Sequence, residues 1–516
     1  RLTEAEEIFK RIGSVGSAEP EHRGALGAFY AATGRNEAAR AELLRIVAAH
    51  PDDIYNARRL AEVEIASNRR EEARKILSDL ATRAPNDWQT LLLLGGLDID
   101  DGKVEQAERR LTRAKSIQPA SPMIHFQLAR VHLQQGKLEL AKDGLRAALK
   151  HGPGFTAASV ALAELELRAG EPQRAMRELK EALKHAPDAL APGVLLSQVH
   201  ALQDEHHLAE KTLTGLLEKQ QSAADQATIY RTLAWVKLRQ KRFNDAKAYA
   251  EKSLSGGQAT LEGLRLLGLS YFGLNRHEEG LNAVRVHVRK KEHWAAGHGL
   301  LGELALQAGK TELAEEAYRK ELKLEPNSAT ALFGLGSVHQ RRRQYEAARQ
   351  YYERAAAAAP GNAAIYVRLG ELAELKQEWP QAITAYKKAI ELDSSSAVAK
   401  NNLAWIYAEH DSNIDEALRL AQEARELMPK AAPIADTLGW IYVKKDLAST
   451  ALPLLQECAL KEPKNAVCRY HLGAAYFKLG RTQEAKRELE TALRLQDTFP
   501  GSADAKALLH RLTTSN

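Results

Sequence analysis

Two pairs of residues near the C-terminal end have the types and spacing that molecular recognition uses. Asn401 and Trp405 stand four residues apart, as do Asp436 and Trp440. On a helix that spacing is about one turn, so each pair presents a flat apolar ring beside an amide or a carboxylate. Large exposed rings are costly unless they meet something, and tryptophan is enriched where binding energy concentrates. The expected chemistry is stacking and hydrogen bonding along an extended polymer, with Trp235 a third ring of the same kind and Tyr470 and Lys478 extending the patch. The bland reading is that curvature packs these rings on one another. A different chemistry is offered by Cys458 and Cys468, which stand five residues before and after Pro463. Helices turning back at that proline would bring them together, and a disulfide requires Cα atoms within about 7 Å. The alternative is two buried thiols, and a bridge would favour an oxidising compartment.

Other candidates lack their required context. Gly297, Gly299 and Gly302 match GxGxxG, but they fall inside a helical pattern with no strand before them. Gly309-Lys310-Thr311 resembles the end of a phosphate loop, yet the earlier glycine position is Leu304. His206, His207, His287, His293 and His298 show no HExxH or HxxxH spacing, no CxxC occurs, and no GxSxG elbow marks a nucleophile. Neither an enzyme, a metal site nor a cofactor is expected. The basic runs Lys237–Arg242, Arg289–Lys291 and Arg341–Arg343 lack an accompanying aromatic platform, so they read as solvated helix ends and nucleic acid is not an expected partner.

The elements that position these residues follow from the chain's period. At 516 residues it exceeds one ordinary core, and its formal net charge of +6 is mild over such a length. No apolar stretch is long enough to span a membrane. Prolines recur every 34 residues from Pro51 through Pro187, the phase slips by three near Gln220–Ala223, and the spacing resumes with Pro326 and Pro360. First helices are predicted to start at Pro20, Ile54, Trp88, Pro122, Thr156, Leu190, Ala227, Leu261, Ala295, Ala329, Ala363, Ala397, Ala432 and Ala466, which makes fourteen repeats. Position 7 is leucine throughout, and position 8 is always Gly, Ala or Ser, so two helices can cross closely there. Position 15 reverses the chain and is often Gly, Asn or Asp, as at Gly34, Asn68 and Asp446. The repeat from Ala397 needs one extra residue around Asp411–Asn413.

Leu-Gly at positions 7–8, Tyr at 11 (Tyr30, Tyr271, Tyr407, Tyr442, Tyr476), Ala at 20, Tyr at 24 (Tyr318, Tyr352, Tyr386) and Pro at 32 resemble the tetratricopeptide-repeat (TPR) signature. The resemblance implies an all-α TPR α-solenoid, a right-handed superhelix of about fourteen helix pairs with first helices on the concave side. The expected organisation is one continuous solenoid. Residues 1–19 are a partial repeat, a second helix with Ala5, Phe9 and Ile12 inward, as in a fragment of a longer protein. Residues 20–223 hold repeats one to six, 224–498 repeats seven to fourteen, and 499–516 a capping helix and tail.

Position-specific clamps of chaperone-tail binders are missing: Arg58 is accompanied by Glu62, and Asn402 is the sole asparagine at position 6. NNLAWIYAE, DTLGWIYVKK and YHLGAAYFKLG resemble bacterial TPR proteins of exopolysaccharide export and PEP-CTERM systems. That resemblance implies a non-enzymatic scaffold, periplasmic or outer-membrane-associated as a lipoprotein, binding other proteins, extended peptide segments or a polysaccharide chain. The alternatives are a cytoplasmic peptide-binding adaptor and the TPR arm of a larger enzyme.

Overall fold

The computed structural model describes residues 2–15, 19–220, 222–255, 259–291, 293–411 and 413–514. Among them are thirty-one helices and no strand. First helices begin where the period places them at Ile54, Trp88, Pro122, Thr156, Leu190, Leu261, Ala295, Ala329, Ala363, Ala397, Ala432 and Ala466. Two differ. In repeat seven the helix starts at Ala223 rather than Ala227, because the phase slip adds a turn, with the Ser222 side chain accepting from the Asp225 N–H. In repeat one the helix is divided into Pro20–Arg23 and Ala25–Ala32. Asn56 presses against the break, where a Cβ on Gly24 would lie 1.8 Å from its Oδ1. Gln221 in the phase slip and Ser412 in the one-residue insertion lie outside the described residues.

Each helix pair closes by fitting large against small. The side chain at position 24 fills the space above position 8: Leu43 over Gly27, Leu111 over Gly95, Leu489 over Gly473. Where position 24 is Tyr318, Tyr352 or Tyr386, the opposing residue is Gly302, Gly336 or Gly370, and an added Cβ would stand 2.5–2.7 Å from the ring. Volume is thus conserved within each crossing while residue types change. The reversal between helices uses a left-handed residue at position 15, from Gly34 (φ 73°) to Gly480 (φ 71°). Lys241, Arg343 and Gln377 adopt the same conformation at φ 57–60° without glycine's freedom.

The chain forms two compact units, Arg1–Leu266 and Leu267–Asn516. In the first, the helix Leu2–Val15 packs on repeat one through Phe9, stacked 5.0 Å from Phe29. In the second, the helix Ser502–Thr514 covers repeat fourteen with Ala505 and Leu512 buried and Leu508 and Leu509 against the same core. No helix among the described residues is long and apolar enough to cross a membrane.

Candidate functional site

A concavity of the second unit lies on the first helices Ala295–Gln307, Ala329–Arg341 and Ala363–Leu375. It has a volume of about 800 Å³ and takes its lining from the positions that face away from the position-7 leucines. Phe333, Ser337 and Gln340 come from repeat ten, Glu303 and Gln307 from repeat nine, and Arg368 from repeat eleven. Tyr318 forms part of the floor. Its ring is buried against two glycines, Gly302 and Gly334, where added Cβ atoms would lie 2.7 and 2.2 Å away. Beside it, Tyr352 donates to Gln340 Oε1 at 2.7 Å and meets Ser337 Oγ at 3.2 Å, fixing both polar side chains on the groove wall.

The run Arg341–Arg343 divides between two tasks. Arg342 turns to the second helix of repeat nine and pairs with Glu315 at 2.5 Å and Glu312 at 3.4 Å. Arg341 and Arg343 line the groove, both exposed, and neither makes an ion pair among the described residues. Arg343 does so from the left-handed turn position. Arg368 also lines it, held by Glu371 at 2.7 Å. Among the described lining residues Glu303 is the one carboxylate, so the groove is cationic. Two acids lie near it, Glu321 buried and Glu374 half-buried. Burial pushes Glu321 and Glu374 above the usual carboxylate range; Ser328 donates to Glu321, and Tyr386 donates to Glu374. Such groups are framework, since a buried acid away from a cation is favoured in its neutral form.

The residues expected to bind are distributed differently from the expectation. Trp405 and Trp440 each pack against a separate core cluster. Trp405 is half-buried against Trp379 at 6.0 Å and His410 at 5.2 Å, and His410 itself stacks on Trp379 at 3.7 Å. Trp440 stacks on His471 at 4.1 Å and donates its indole N–H to Glu409 at 2.5 Å. Burial raises Glu409, but Lys444 at 2.8 Å and that indole outweigh it, holding the carboxyl below its ordinary value. Asp436 accepts from His471 Nδ1 at 2.9 Å. Tyr470 is 4% exposed, covered by Phe499 and Gly501, so it extends the core of the last repeat rather than an open patch. Lys478 is exposed and paired with Asp446. Asn401 bonds Asn402, which donates to Tyr386. Trp235 lies in the first unit under Arg239, 5.4 Å from its ring. Trp405 and Trp440, at position 9, meet His410 and His471, and the segment around Phe499 covers Tyr470. Cys458 and Cys468 are joined in a disulfide, with Cα atoms 5.8 Å apart.

The cationic groove was missed because Arg341–Arg343 was read as one solvated run. The signal available was Gly334 at position 6, one repeat after Tyr318 at position 24: a ring with glycine on both sides makes a floor.

An all-helical array of paired helices with a polar groove on its first helices defines a repeat scaffold. The Tetratricopeptide repeat family matches at residues 126–190, 300–363, 333–397 and 367–432, and again at 448–512. The chain belongs to the tetratricopeptide-repeat family, whose repeats hold other proteins or peptides. A 58-residue stretch is 45% identical to the STIP1 homolog of Dictyostelium discoideum. It covers 11% of this chain and 10% of that protein, so the chain spans about a tenth of that relative's length. The crystal structure of the APC/C hetero-tetramer Cut9–Hcn1 is similar over 97% of this chain and 98% of its own, at 18% identity and a TM-score of 0.43. YrrB, a TPR protein with an unusual peptide-binding site, is similar over 36% of this chain and 96% of its own, at 23% identity and a TM-score of 0.31.

Proposed function

We propose that this protein is a non-enzymatic scaffold that holds an extended, acidic peptide segment in the groove of repeats nine to eleven. The observation that supports this most is the pair Arg341 and Arg343, exposed on the groove and without ion pairs among the described residues. Guanidinium groups bind carboxylates through two parallel hydrogen bonds. Phe333 and Tyr345 add apolar surface beside them, and Gln307 and Gln340 can bond a peptide backbone. A peptide is favoured over a polysaccharide because the tryptophan rings that would stack on sugars are largely engaged with His410 and His471. Trp405 and Asn401, both partly exposed, give a secondary contact farther along the same unit.

The disulfide supports placing this scaffold in an oxidising compartment, as expected of the bacterial envelope, where exopolysaccharide machinery would supply its partners. Fractionation of the native host tests that placement, and recovery from the cytosol with both thiols free overturns it. The binding reading is tested by fluorescence anisotropy with labelled acidic, neutral and basic peptides of one length. Acidic peptides should bind tightest, and Arg341→Glu should weaken them by about tenfold, or about 1.4 kcal/mol. Equal affinity for all three peptides, or an unchanged affinity in the variant, sinks the proposal.

A further inference from the structure

Three side chains from three different helices converge where repeat thirteen meets repeat fourteen. Asp436 comes from the first helix of repeat thirteen, Cys458 from its second, and Cys468 from the first helix of repeat fourteen. One carboxylate oxygen and the two sulfurs all lie within 4.8 Å of one another. Both cysteines are buried, at 0% and 1% exposure. The charge around Asp436 is the telling feature. Its Oδ2 is held by His471, while its Oδ1 is buried without a hydrogen-bond partner. No Lys or Arg pairs with it among the described residues. A carboxylate taken from water with one oxygen unsatisfied is costly unless a cation compensates it.

We propose that, when Cys458 and Cys468 are reduced, they and Asp436 form a divalent-metal site selective for a thiophilic ion such as Zn²⁺. Two thiolates and a carboxylate are an ordinary zinc donor set, and softness of sulfur disfavours Mg²⁺ and Ca²⁺. His471 then acts from outside, orienting Asp436 through the bond to Oδ2 and leaving Oδ1 for the metal. The fourth position falls to water. The disulfide and the metal exclude each other, since sulfurs bonded together cannot serve as two thiolates. A dithiol reductant gives two electrons and two protons to the disulfide, becoming its own disulfide and leaving two thiols. Metal binding releases those two protons to solvent. A low-molecular-weight disulfide takes two electrons from the thiolates and two protons from solvent, becoming two thiols, while the protein disulfide re-forms and the ion is expelled. Because the three ligands tie repeat thirteen to repeat fourteen, either covalent bridge or metal holds that joint.

The full chain, reduced with a dithiol and desalted anaerobically, is titrated with Co²⁺ as a spectroscopic stand-in. One equivalent should produce sulfur-to-cobalt charge-transfer absorption and the strong visible bands of a tetrahedral site, both bleached by Zn²⁺. The oxidised chain should show neither. Cys458→Ser and Cys468→Ser should each weaken binding and reduce the charge-transfer intensity. Asp436→Ala should weaken it by roughly 10- to 100-fold and shift the visible bands. Should that variant fail to fold, X-ray absorption of the zinc-loaded parent decides, with two sulfurs near 2.3 Å and oxygen or nitrogen in the remaining positions. A reduced, folded chain without the charge-transfer band, bands unaltered in folded Asp436→Ala, or a sulfur-free zinc shell overturns the proposal.

Discussion

The first and second units solve one packing problem in two ways. Position 11 sits where each first helix meets the second helix of the repeat before. In repeats two, three and five of the first unit it carries buried charge: Glu64 is 1% exposed and paired with Arg40 at 2.7 Å, and Asp98 is fully buried and paired with Arg74 at 2.7 Å. Glu166, 2% exposed, meets Lys142 at 3.5 Å and Arg146 at 3.1 Å. Arg40, Arg74 and Lys142 all occupy position 21 of the preceding repeat. Between repeats six and seven the signs are exchanged, with Glu210 at position 21 and Lys237 at position 11, 2.6 Å apart. In the second unit position 11 is tyrosine in repeats eight and twelve to fourteen, and alanine or histidine in repeats nine to eleven. Gln422 donates to Tyr442 at 3.1 Å and Gln456 to Tyr476 at 3.0 Å, from the second helix of the preceding repeat. The backbone slot demands contact and complementarity; it does not specify the chemistry that meets them. Buried ion pairs are sensitive to the loss of either partner, while a ring with one hydrogen-bonded tip depends mainly on its area.

The largest effect expected is on the apolar side of this contrast. Tyr352 is fully buried above Gly336, and Tyr352→Ala should lower stability by about 3–5 kcal/mol, as removal of a buried ring leaves a cavity that the glycine cannot fill. Denaturant unfolding followed by hydrogen exchange should localise the loss to repeats ten and eleven; uniform loss of protection would show that repeats do not respond as neighbours.

On the ionic side, Asp98→Ala should cost about 3 kcal/mol, the lower end of the range for a broken buried pair. Arg74 and Arg110 are 20% and 31% exposed and can turn towards water once the carboxylate is gone. Unlike the tyrosine variant, its penalty should shrink in molar salt, where the parent's partly exposed arginines are already screened. A salt-independent penalty would mean the side chain's volume matters more than its charge.

The exchanged pair gives a sharper test. Glu210→Lys and Lys237→Glu should each destabilise, and the double exchange should recover about 1–2 kcal/mol relative to their sum. A double exchange no more stable than the additive expectation would show that Gln240, which also donates to Glu210 at 2.6 Å, fixes the orientation of the pair.

How far the sequence reached follows the same division. Repeat boundaries were legible because leucine at 7, small residues at 8 and 20, and proline at 32 each answer a local steric demand. The ion-pair ladder at positions 11 and 21 was not read, because its members are some 24 residues apart and meet only when repeats stack, as Arg40 and Glu64 do. The same limit hid the partners of the tryptophans. His410 lies at the end of its helix beside the one-residue insertion, and only the turn there brings it onto Trp379. The cysteine pair was legible because a helix reversal at one proline is local.

Moderate acid should affect repeats nine to eleven and the joint of repeats six and seven differently. Burial raises Glu210, but Lys237 and Gln240 outweigh it, so its carboxyl titrates below the ordinary range. Its contribution is present above the unfolded value of about 4.3 and is lost as pH falls through the lower folded value. Glu321 and Glu374 are raised by burial. Their contribution is complete below about 4.3 and is lost as pH rises through their higher folded values. Moderate acidification from neutrality should therefore protect amides of repeats nine to eleven before it weakens the joint of repeats six and seven. Exchange rates that move together at both places would remove this distinction.

The smallest effect links turn geometry to the groove. In the first unit Gly34, Gly102, Gly136 and Gly170 make the left-handed reversal without a side-chain clash, whereas repeat ten uses Arg343 at φ 57°. For a side-chain-bearing residue that conformation costs roughly 1–2 kcal/mol, partly offset because glycine loses more freedom on folding. Arg343→Gly should therefore raise stability by about 0.5 kcal/mol, and the matching Gly136→Arg in the first unit should lower it by a similar amount. Strain retained at a groove is a reason to suspect that its side chain serves recognition. The two measurements separate the explanations. If Arg343 serves binding, Arg343→Gly melts higher and holds acidic peptides more weakly, with a smaller salt dependence than the parent. If it melts higher and binds unchanged, the arginine is a tolerated turn residue, and Arg341 and Arg368 carry the groove's attraction alone.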